Sequence, residues 1–111
     1  MRLSIVREND IAILELKGKL DATTSKQFQE DFTKLIDENE TEFIIDCSQL
    51  TYISSVGLRV FYFAARKLEN TNGKIVFCST NPNIKRVFDI VDFASDFPIL
   101  SDVNEALKIM K

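Results

Sequence analysis

The sequence predicts one α/β domain over residues 1–111, with a mainly parallel central sheet of about five strands, one antiparallel strand and about four helices. Three observations support this fold class. The length suits one domain with one modest core. Apolar runs of strand length alternate with stretches whose apolar residues recur at helical spacing. Helices join most of the predicted strands, and such crossovers make neighbouring strands parallel.

The first part of the chain predicts a hairpin and then a helix. Leu3–Val6 and Ile11–Leu16 have the composition of strands, and residues 8–10 between them form a turn signal. Gly18 is expected to close this unit. The polar residues that follow suit the start of a helix: Asp21, Thr23, Thr24 and Ser25. The apolar face of that helix is formed by Phe28, Phe32, Leu35 and Ile36.

The middle of the chain predicts two buried strands with a helix between them. Phe43–Asp46 is nearly continuous in apolar residues, as in a parallel strand that is covered on both faces. A loop is expected over residues 47–55, and then a helix from about Val56 to Leu68. Lys74–Cys78 is the next buried strand.

The last part predicts a helix, a short strand and a final helix. Asn81 and Pro82 suit a cap and a first helical position. Phe97–Leu100 is expected to be the last strand, and Asp102 lies where the final helix begins. The apolar faces of these two helices are Ile84, Val87, Phe88 and Val91 in the first, and Val103, Ala106, Leu107 and Met110 in the second.

The composition disfavours several classes of function. The net charge of -3 argues against nucleic acid and against docking on an anionic membrane. The absence of histidine removes the usual nucleophilic triads and the commonest zinc ligand. With only 3 glycines and no glycine-rich phosphate loop, we expect neither an enzyme nor a bound cofactor or metal. Cys47 and Cys78 are expected to be reduced. The chain shows no signal peptide and no membrane-length apolar stretch, so we expect it in the cytoplasm.

The helix after residue 55 has an unusual outward face. Its core side carries small and apolar residues at helical spacing, among them Gly57, Leu58 and Phe61. Arginine with aromatic residues is typical of a protein-binding surface. The alternative is that Tyr62 or Phe63 packs against a neighbouring loop. The outward side carries Ser55, Arg59, Tyr62, Phe63, Arg66 and Asn70.

The two serines before this helix allow two interpretations. Serine is a common cap of helices, so either hydroxyl could simply cap this one. Gly57 in the first turn is costly by roughly 1 kcal/mol relative to alanine. A glycine at such a position often allows the close approach of a neighbouring backbone or of a partner.

At these residues the chain resembles STAS domains, the bacterial anti-sigma factor antagonists. The segment FIIDCSQLTYISSVGLRVF is similar to their signature, with Asp46 at the strand-end acid and Ser54 at an Asp-or-Ser position. Ser55 matches the phosphorylated serine, Gly57 and Leu58 match the Gly-Leu of the motif, and Val56 replaces its usual Ser or Ala. Residues 18–21 also resemble the Gly-x-Leu/Ile-Asp that follows the second strand in this family.

The resemblance implies a switch between partners. The unphosphorylated form would bind an anti-sigma factor, itself a serine kinase, and so free a sigma factor. Phosphorylation at Ser55, with Ser54 as the alternative, would end binding, and a serine phosphatase would reset it. We expect a monomer or weak homodimer, with Asp46 supporting the loop. The predicted partner-binding residues are Asp21, Ser54, Ser55, Val56, Gly57, Arg59, Tyr62, Phe63 and Arg66.

The two carboxylates near this segment have two interpretations each. Loops that follow parallel strands gather at one end of the sheet, so Asp21 and Asp46 could line the surface that carries Ser55. Alternatively, Asp21 caps the first helix and Asp46 ties down its own loop.

Other classes of protein remain as alternatives. A phosphoaspartate receiver would use Asp46, but it needs further carboxylates to hold magnesium, and Glu8 and Asp10 lie in the predicted hairpin turn. An unswitched STAS scaffold or small-ligand-binding module would keep its partner in a Ser55→Asp variant, whereas a switch would lose it.

Overall fold

The computed structural model describes residues 1–110 and contains one sheet of five strands, which neighbour one another in chain order. The first two strands are antiparallel, and each later strand runs parallel to the one before it. With four α-helices in this part of the chain, the predicted fold class is confirmed. The strands are β1 (Arg2–Glu8), β2 (Ile11–Leu20), β3 (Glu42–Ile53), β4 (Lys74–Cys78) and β5 (Ile99–Leu100), and the helices are α1 (Ser25–Asp37), α2 (Ser55–Leu68), α3 (Pro82–Ile90) and α4 (Val103–Met110).

Helices cover both faces of the sheet. α1, α2 and α3 pack on one face around Phe61, whose ring centroid lies 5.7 Å from that of Phe28 and 4.7 Å from that of Phe77. α4 packs on the other face, where Ile44 and Val76 are buried. Because both faces of the sheet are covered, the first half of β3 is a continuous apolar run. Its side chains are buried on both faces of the sheet.

β3 is longer than predicted, and residues 47–53 therefore lie in a strand and not in a loop. The prediction that a loop follows Asp46 is wrong, because the strand continues to Ile53. The register against β2 shifts twice in this stretch. Extra residues in one strand break the alternation of buried and exposed side chains, which removes the sequence signal for a strand. The buried residues of this second half recur instead at every third position: Cys47, Leu50 and Ile53.

Two further strand ends differ from the prediction. Gly18 does not close β2 but lies within it, at one of the register shifts, with a φ of 101° that suits glycine. The last strand contains only Ile99 and Leu100. Phe97, expected to begin that strand, is buried in the aromatic core instead, with its ring centroid 4.7 Å from that of Phe93.

The predicted helix start at Asn81 is confirmed, and it also ties α3 to β3. The Asn81 Oδ1 accepts the Ile84 N–H at 3.0 Å, while its Nδ2 donates to the Leu50 carbonyl at 2.6 Å. Asp102 caps α4 in the same manner, because its Oδ1 accepts the Glu105 N–H at 2.8 Å.

Cys47 and Cys78 are free, buried thiols on opposite faces of the sheet. Burial raises the pKa of Cys47 and raises the pKa of Cys78 to about 11. Within residues 1–110, no helix is both long enough and apolar enough to cross a membrane.

Candidate functional site

Ser54 joins β3 to α2 and acts as the cap of the helix. Its backbone is extended, with φ −97° and ψ 172°, and its N–H donates to the Leu20 carbonyl at 2.9 Å. Its Oγ accepts the Gly57 N–H at 3.2 Å, and its carbonyl accepts the Leu58 N–H at 2.9 Å. The capping interpretation therefore holds for Ser54, whose hydroxyl oxygen already serves the fold.

Ser55 differs from its neighbour. It is the first residue of α2 and is exposed, and its hydroxyl makes no hydrogen bond within residues 1–110. The N–H groups of Ser55 and Val56 are among those that have no carbonyl acceptor inside a helix. Arg59 is exposed one turn further on, and in the described part of the chain it forms no ion pair. Ser55 is thus open to a second protein.

Gly57 is present because α2 lies directly against the ends of two strands. A Cβ atom at this position would lie 2.8 Å from the Leu20 carbonyl oxygen and 3.1 Å from the Ile53 Cγ1. Of the two interpretations from sequence, the structure supports close approach of a neighbouring backbone. The helix start that carries Ser55 is therefore fixed by packing against β2 and β3.

Asp21 organises the turn that follows β2. Its Oδ1 accepts the Thr23 hydroxyl at 2.7 Å, the Thr23 N–H at 3.0 Å and the Thr24 N–H at 3.2 Å. These hydrogen bonds, that of the Thr23 hydroxyl above all, lower the pKa of the Asp21 carboxyl. Because Leu20 immediately precedes Asp21 and bonds to Ser54, the structure brings this turn beside the start of α2.

Asp46 lies elsewhere. It is not at a strand end but inside β3, opposite Glu15 of β2, whereas Ile53 lies opposite Leu20. At about 3.3 Å per residue, those five steps along β2 place Asp46 roughly 17 Å from the end of β3. Its Oδ1 accepts the Ser48 N–H at 3.0 Å, so it supports the irregular part of the strand. The structure does not bring Asp46 together with Ser55.

The outward face of α2 divides into a free part and an occupied part. Phe63 is 43% exposed, and Arg59 and Arg66 are exposed as well. Tyr62 is 40% exposed but also packs against the segment after α3, as the alternative from sequence proposed. Its ring meets that of Phe97 edge-on at 5.2 Å, and its hydroxyl donates to the Asp96 Oδ2 at 2.6 Å. Partial burial, and then this hydrogen bond, raise the pKa of Tyr62 to about 12.

Two exposed apolar residues near Ser55 extend this surface. Tyr52 is 50% exposed at the end of β3, and Val56 is 38% exposed at the start of α2. Tyr52 is not among the predicted partner-binding residues, because residues 47–55 were expected to form a loop. That the Tyr52 ring is exposed two residues before Ser54 follows only from the extension of β3 to Ile53.

The sequence model of the STAS domain matches residues 2–106. The chain belongs to the STAS domain family. Along its whole length it is 30% identical to a protein of Bordetella bronchiseptica named "Putative anti-sigma factor antagonist BtrV", and the match covers 96% of that protein. The predicted resemblance is confirmed. Since the anti-sigma factor antagonists of this family are non-enzymatic regulators, the prediction that the chain is not an enzyme agrees with its family.

Solved STAS structures have the same fold. An anti-sigma factor antagonist from Mycobacterium paratuberculosis superposes with a TM-score of 0.88 at 18% identity, over 97% of this chain and 92% of the other. The Bacillus cell fate determinant SpoIIAA in its phosphorylated form gives a TM-score of 0.77 at 18% identity, over 99% of this chain and 100% of the other. At these identities the likeness shows the STAS fold.

The receiver alternative finds no support in this STAS chain. Asp10 lies in the turn before β2, whereas Asp46 lies opposite Glu15 further along that strand. Within residues 1–110, no group of three or more acidic or cysteine side chains is placed to hold a metal ion.

Proposed function

We propose that the chain is an anti-sigma factor antagonist whose binding is switched by phosphorylation of Ser55. In the unphosphorylated form it binds an anti-sigma factor, which then releases its sigma factor. The observation that carries this proposal is the difference between two adjacent serines. The Ser54 hydroxyl oxygen accepts a hydrogen bond at the start of α2, whereas the exposed Ser55 hydroxyl has no such role.

The start of α2 can accept a phosphate without loss of the fold. A phosphoryl group adds about -1.5 to -2 charges at neutral pH. Unpaired N–H groups and the positive end of the helix dipole favour an anion at this position. Arg59 follows one helical turn later, on the side of α2 that carries Ser55. The modified side chain can remain in solvent, so no core contact is disturbed.

The same group is incompatible with a closely packed interface. A neutral hydroxyl fits between two protein surfaces, whereas a phosphate there must lose its water, at a cost of several kcal/mol unless it finds new partners. A loss of about 3 to 4 kcal/mol weakens binding by a few hundredfold. Preserved folding with lost affinity is the behaviour that a reversible switch needs.

The partner-binding surface that we propose surrounds Ser55. It combines the outward residues of α2 with the turn that Asp21 organises, and Tyr52 adds an exposed ring at its edge. Tyr62 contributes less than its position suggests, because its hydroxyl and ring are engaged within the chain. The names of BtrV and of the phosphorylated form of SpoIIAA support both the partner class and the modification.

The test has two arms. The protein is incubated with ATP and candidate anti-sigma factor kinases encoded near its gene, and the product is mapped by mass spectrometry. We expect one phosphate, on Ser55, which is absent in Ser55→Ala and present in Ser101→Ala, a matched control at another helix start. Phosphate on Ser54 alone would refute the assignment of the site.

The second arm measures affinity for the same partner. Ser55→Ala keeps the small neutral surface and should bind as the native protein does, whereas Ser55→Asp should lose most of the affinity. If Ser55→Asp binds normally while its charge mimics the modification, the chain is an unswitched scaffold.

A further inference from the structure

The two edges of the sheet differ in length. β5 consists of only two residues, so that edge offers little backbone to another strand. β1 has 7 residues and pairs with β2 along its whole length without a register shift, and none of the strands in residues 1–110 lies on its outer side. A long open edge of this kind can pair with a further strand.

The hydrogen-bonding groups of this edge can be assigned from the hairpin. A two-residue turn joins Glu8 to Ile11, which therefore form the hydrogen-bonded pair that closes the hairpin. Along a regular antiparallel strand, successive residues direct their N–H and C=O groups to opposite sides. The groups of Glu8 and every second residue before it point to β2. Those that point outward belong to Leu3, Ile5 and Arg7.

We infer that a second copy of the chain pairs with this edge, β1 against β1, with Ile5 opposite Ile5. In this antiparallel arrangement Leu3 of each copy lies opposite Arg7 of the other. All of the outward-pointing N–H and C=O groups of β1 then find partners, because only outward-pointing residues form the hydrogen-bonded pairs. The two sheets become one continuous sheet.

The side chains of β1 fit this register. Arg2 of each copy lies opposite Glu8 of the other, so the pairing places two opposite charges together at each end. These are pairs without mutual backbone hydrogen bonds, in which cross-strand side chains approach most closely. Arg7 is already paired with Glu40 of its own chain, so it brings no uncompensated charge beside Leu3 of the other copy.

Two exposed apolar side chains lie at the centre of the same strand. Ile5 is 38% exposed and Val6 is 46% exposed, one on each face of the sheet. The pairing brings the two Ile5 side chains together on the axis between the copies, and Val6 lies opposite Ser4. Each is covered in part by the other chain.

Shifted registers lack this match. If Ser4 lies on the axis instead, Arg2 faces Val6 of the other copy and Glu8 has no partner. If Val6 lies on the axis, Glu8 faces Ser4, and Arg2 lies opposite Asp10, which belongs to the turn and not to β1. Charge complementarity thus selects the pairing centred on Ile5.

The β1 pairing leaves the proposed partner-binding surface around Ser55 uncovered. β1 begins opposite Lys17, whereas β2 continues to Leu20 before it contacts Ser54. Two copies run in opposite directions, so their Ser55 residues face opposite ends of the shared sheet. Dimer formation is therefore independent of the function proposed above.

Sedimentation equilibrium of the full chain tests this inference. One strand pair is a small interface, so we expect a dissociation constant of about 10 to 100 µM. The measurement covers protein concentrations from about 5 to 500 µM. Ile5→Pro removes an outward N–H without removing a bond to β2, and it should weaken the dimer at least tenfold. Circular dichroism and thermal unfolding check that the variant remains folded.

Charge reversal gives the sharper test. Arg2→Glu and Glu8→Arg each place like charges together and should weaken the dimer at least tenfold. The double variant Arg2→Glu/Glu8→Arg restores both pairs and should dimerise as the native chain does. A mixture of the two single variants should form a heterodimer, because each then faces the opposite charge.

Two results would overturn the inference. One is a native chain that stays monomeric up to about 500 µM. The other is a dimer whose affinity is unchanged by Ile5→Pro and by both single reversals, which would place the contact on another surface. Phosphorylation of Ser55 would be unaffected in either case.

Discussion

The inner and outer faces of α2 differ in what fixes their residues. On the inner face, Gly57 has no space for a Cβ atom and Phe61 lies within the aromatic core. On the outer face, the Ser55 hydroxyl forms no hydrogen bond and the Arg59 side chain forms no ion pair within residues 1–110. Phe63 on the same face is 43% exposed. Changes on the inner face should therefore alter the free energy of unfolding. Changes on the outer face should alter association and leave unfolding almost unchanged.

The largest effect on stability is expected at Gly57. Gly57→Val places side-chain atoms against the Leu20 carbonyl oxygen, which cannot move without displacing β2. We expect a loss of about 3 kcal/mol in the free energy of unfolding, measured by urea denaturation. Val56→Ala, on the exposed side of the same turn, is the control and should change it by less than about 0.5 kcal/mol. Equal losses of stability in Gly57→Val and Val56→Ala would contradict the proposed difference between the two faces of α2.

The cap of the same helix should give an intermediate effect. Ser54→Ala removes the oxygen that accepts the Gly57 N–H, and we expect a loss of about 1 kcal/mol in urea denaturation. Ser54→Asp keeps an acceptor at the cap and should restore most of that loss. If Ser54→Ala were neutral and Ser55→Ala destabilising, the roles of the two serines would be exchanged.

Tyr62 tests a residue that lies on the boundary between the faces. Tyr62→Phe keeps the ring but removes the hydrogen bond to Asp96, so we expect a loss of about 0.5 to 1 kcal/mol near neutral pH. Tyr52→Phe is the matched control, because within residues 1–110 that hydroxyl has no hydrogen-bond partner; it should be neutral.

Tyr62→Phe should also change how the stability of the protein depends on alkaline pH. The pKa of Tyr62 is raised to about 12 in the folded chain, while tyrosine in an unfolded chain ionises near about 10. Above about pH 10 the unfolded state loses its proton first, so the native protein should lose stability as the pH rises to about 12. Thermal unfolding should show a smaller alkaline loss in Tyr62→Phe. Identical profiles would show that the hydroxyl is not held as described.

The smallest effect on folding is expected at Ser55. Ser55→Asp adds a negative charge at the first position of α2, where the helix dipole favours it. The free energy of unfolding should stay the same or rise by up to about 0.5 kcal/mol in urea denaturation. A loss above about 1 kcal/mol would mean that this side chain does serve the fold, and that lost binding could reflect lost structure.

The two faces of α2 could be predicted from the sequence better than the ends of the strands around that helix. Helical periodicity separated the inner face of α2 from the outer one, because packing on a sheet requires one continuous apolar stripe. Periodicity did not identify Val60, which is only 2% exposed and belongs to the core cluster on the side of α1, α2 and α3. The first half of β3 was predictable, since two covered faces demand an unbroken apolar run.

The errors have a common origin in contacts between distant residues. Register shifts against β2 extend β3 to Ile53, and no short-range pattern marks them. Because β3 extends to Ile53, Asp46 lies inside the strand and far from Ser55. Similarly, the hydrogen bond between Tyr62 and Asp96 joins residues that are 34 positions apart, so periodicity could not show which aromatic ring stays free.

The two buried cysteines make the two layers of this molecule separately observable. Cys47 belongs to the layer beneath α1, α2 and α3, and Cys78 belongs to the layer beneath α4. With a pKa of about 11, only about one Cys78 thiol in ten thousand is ionised at pH 7, and alkylating reagents react with the ionised form. Each thiol should therefore be labelled mainly when its own layer opens. Peptide masses after timed alkylation would then report how often each side of the sheet loosens, with no probe attached to the partner surface.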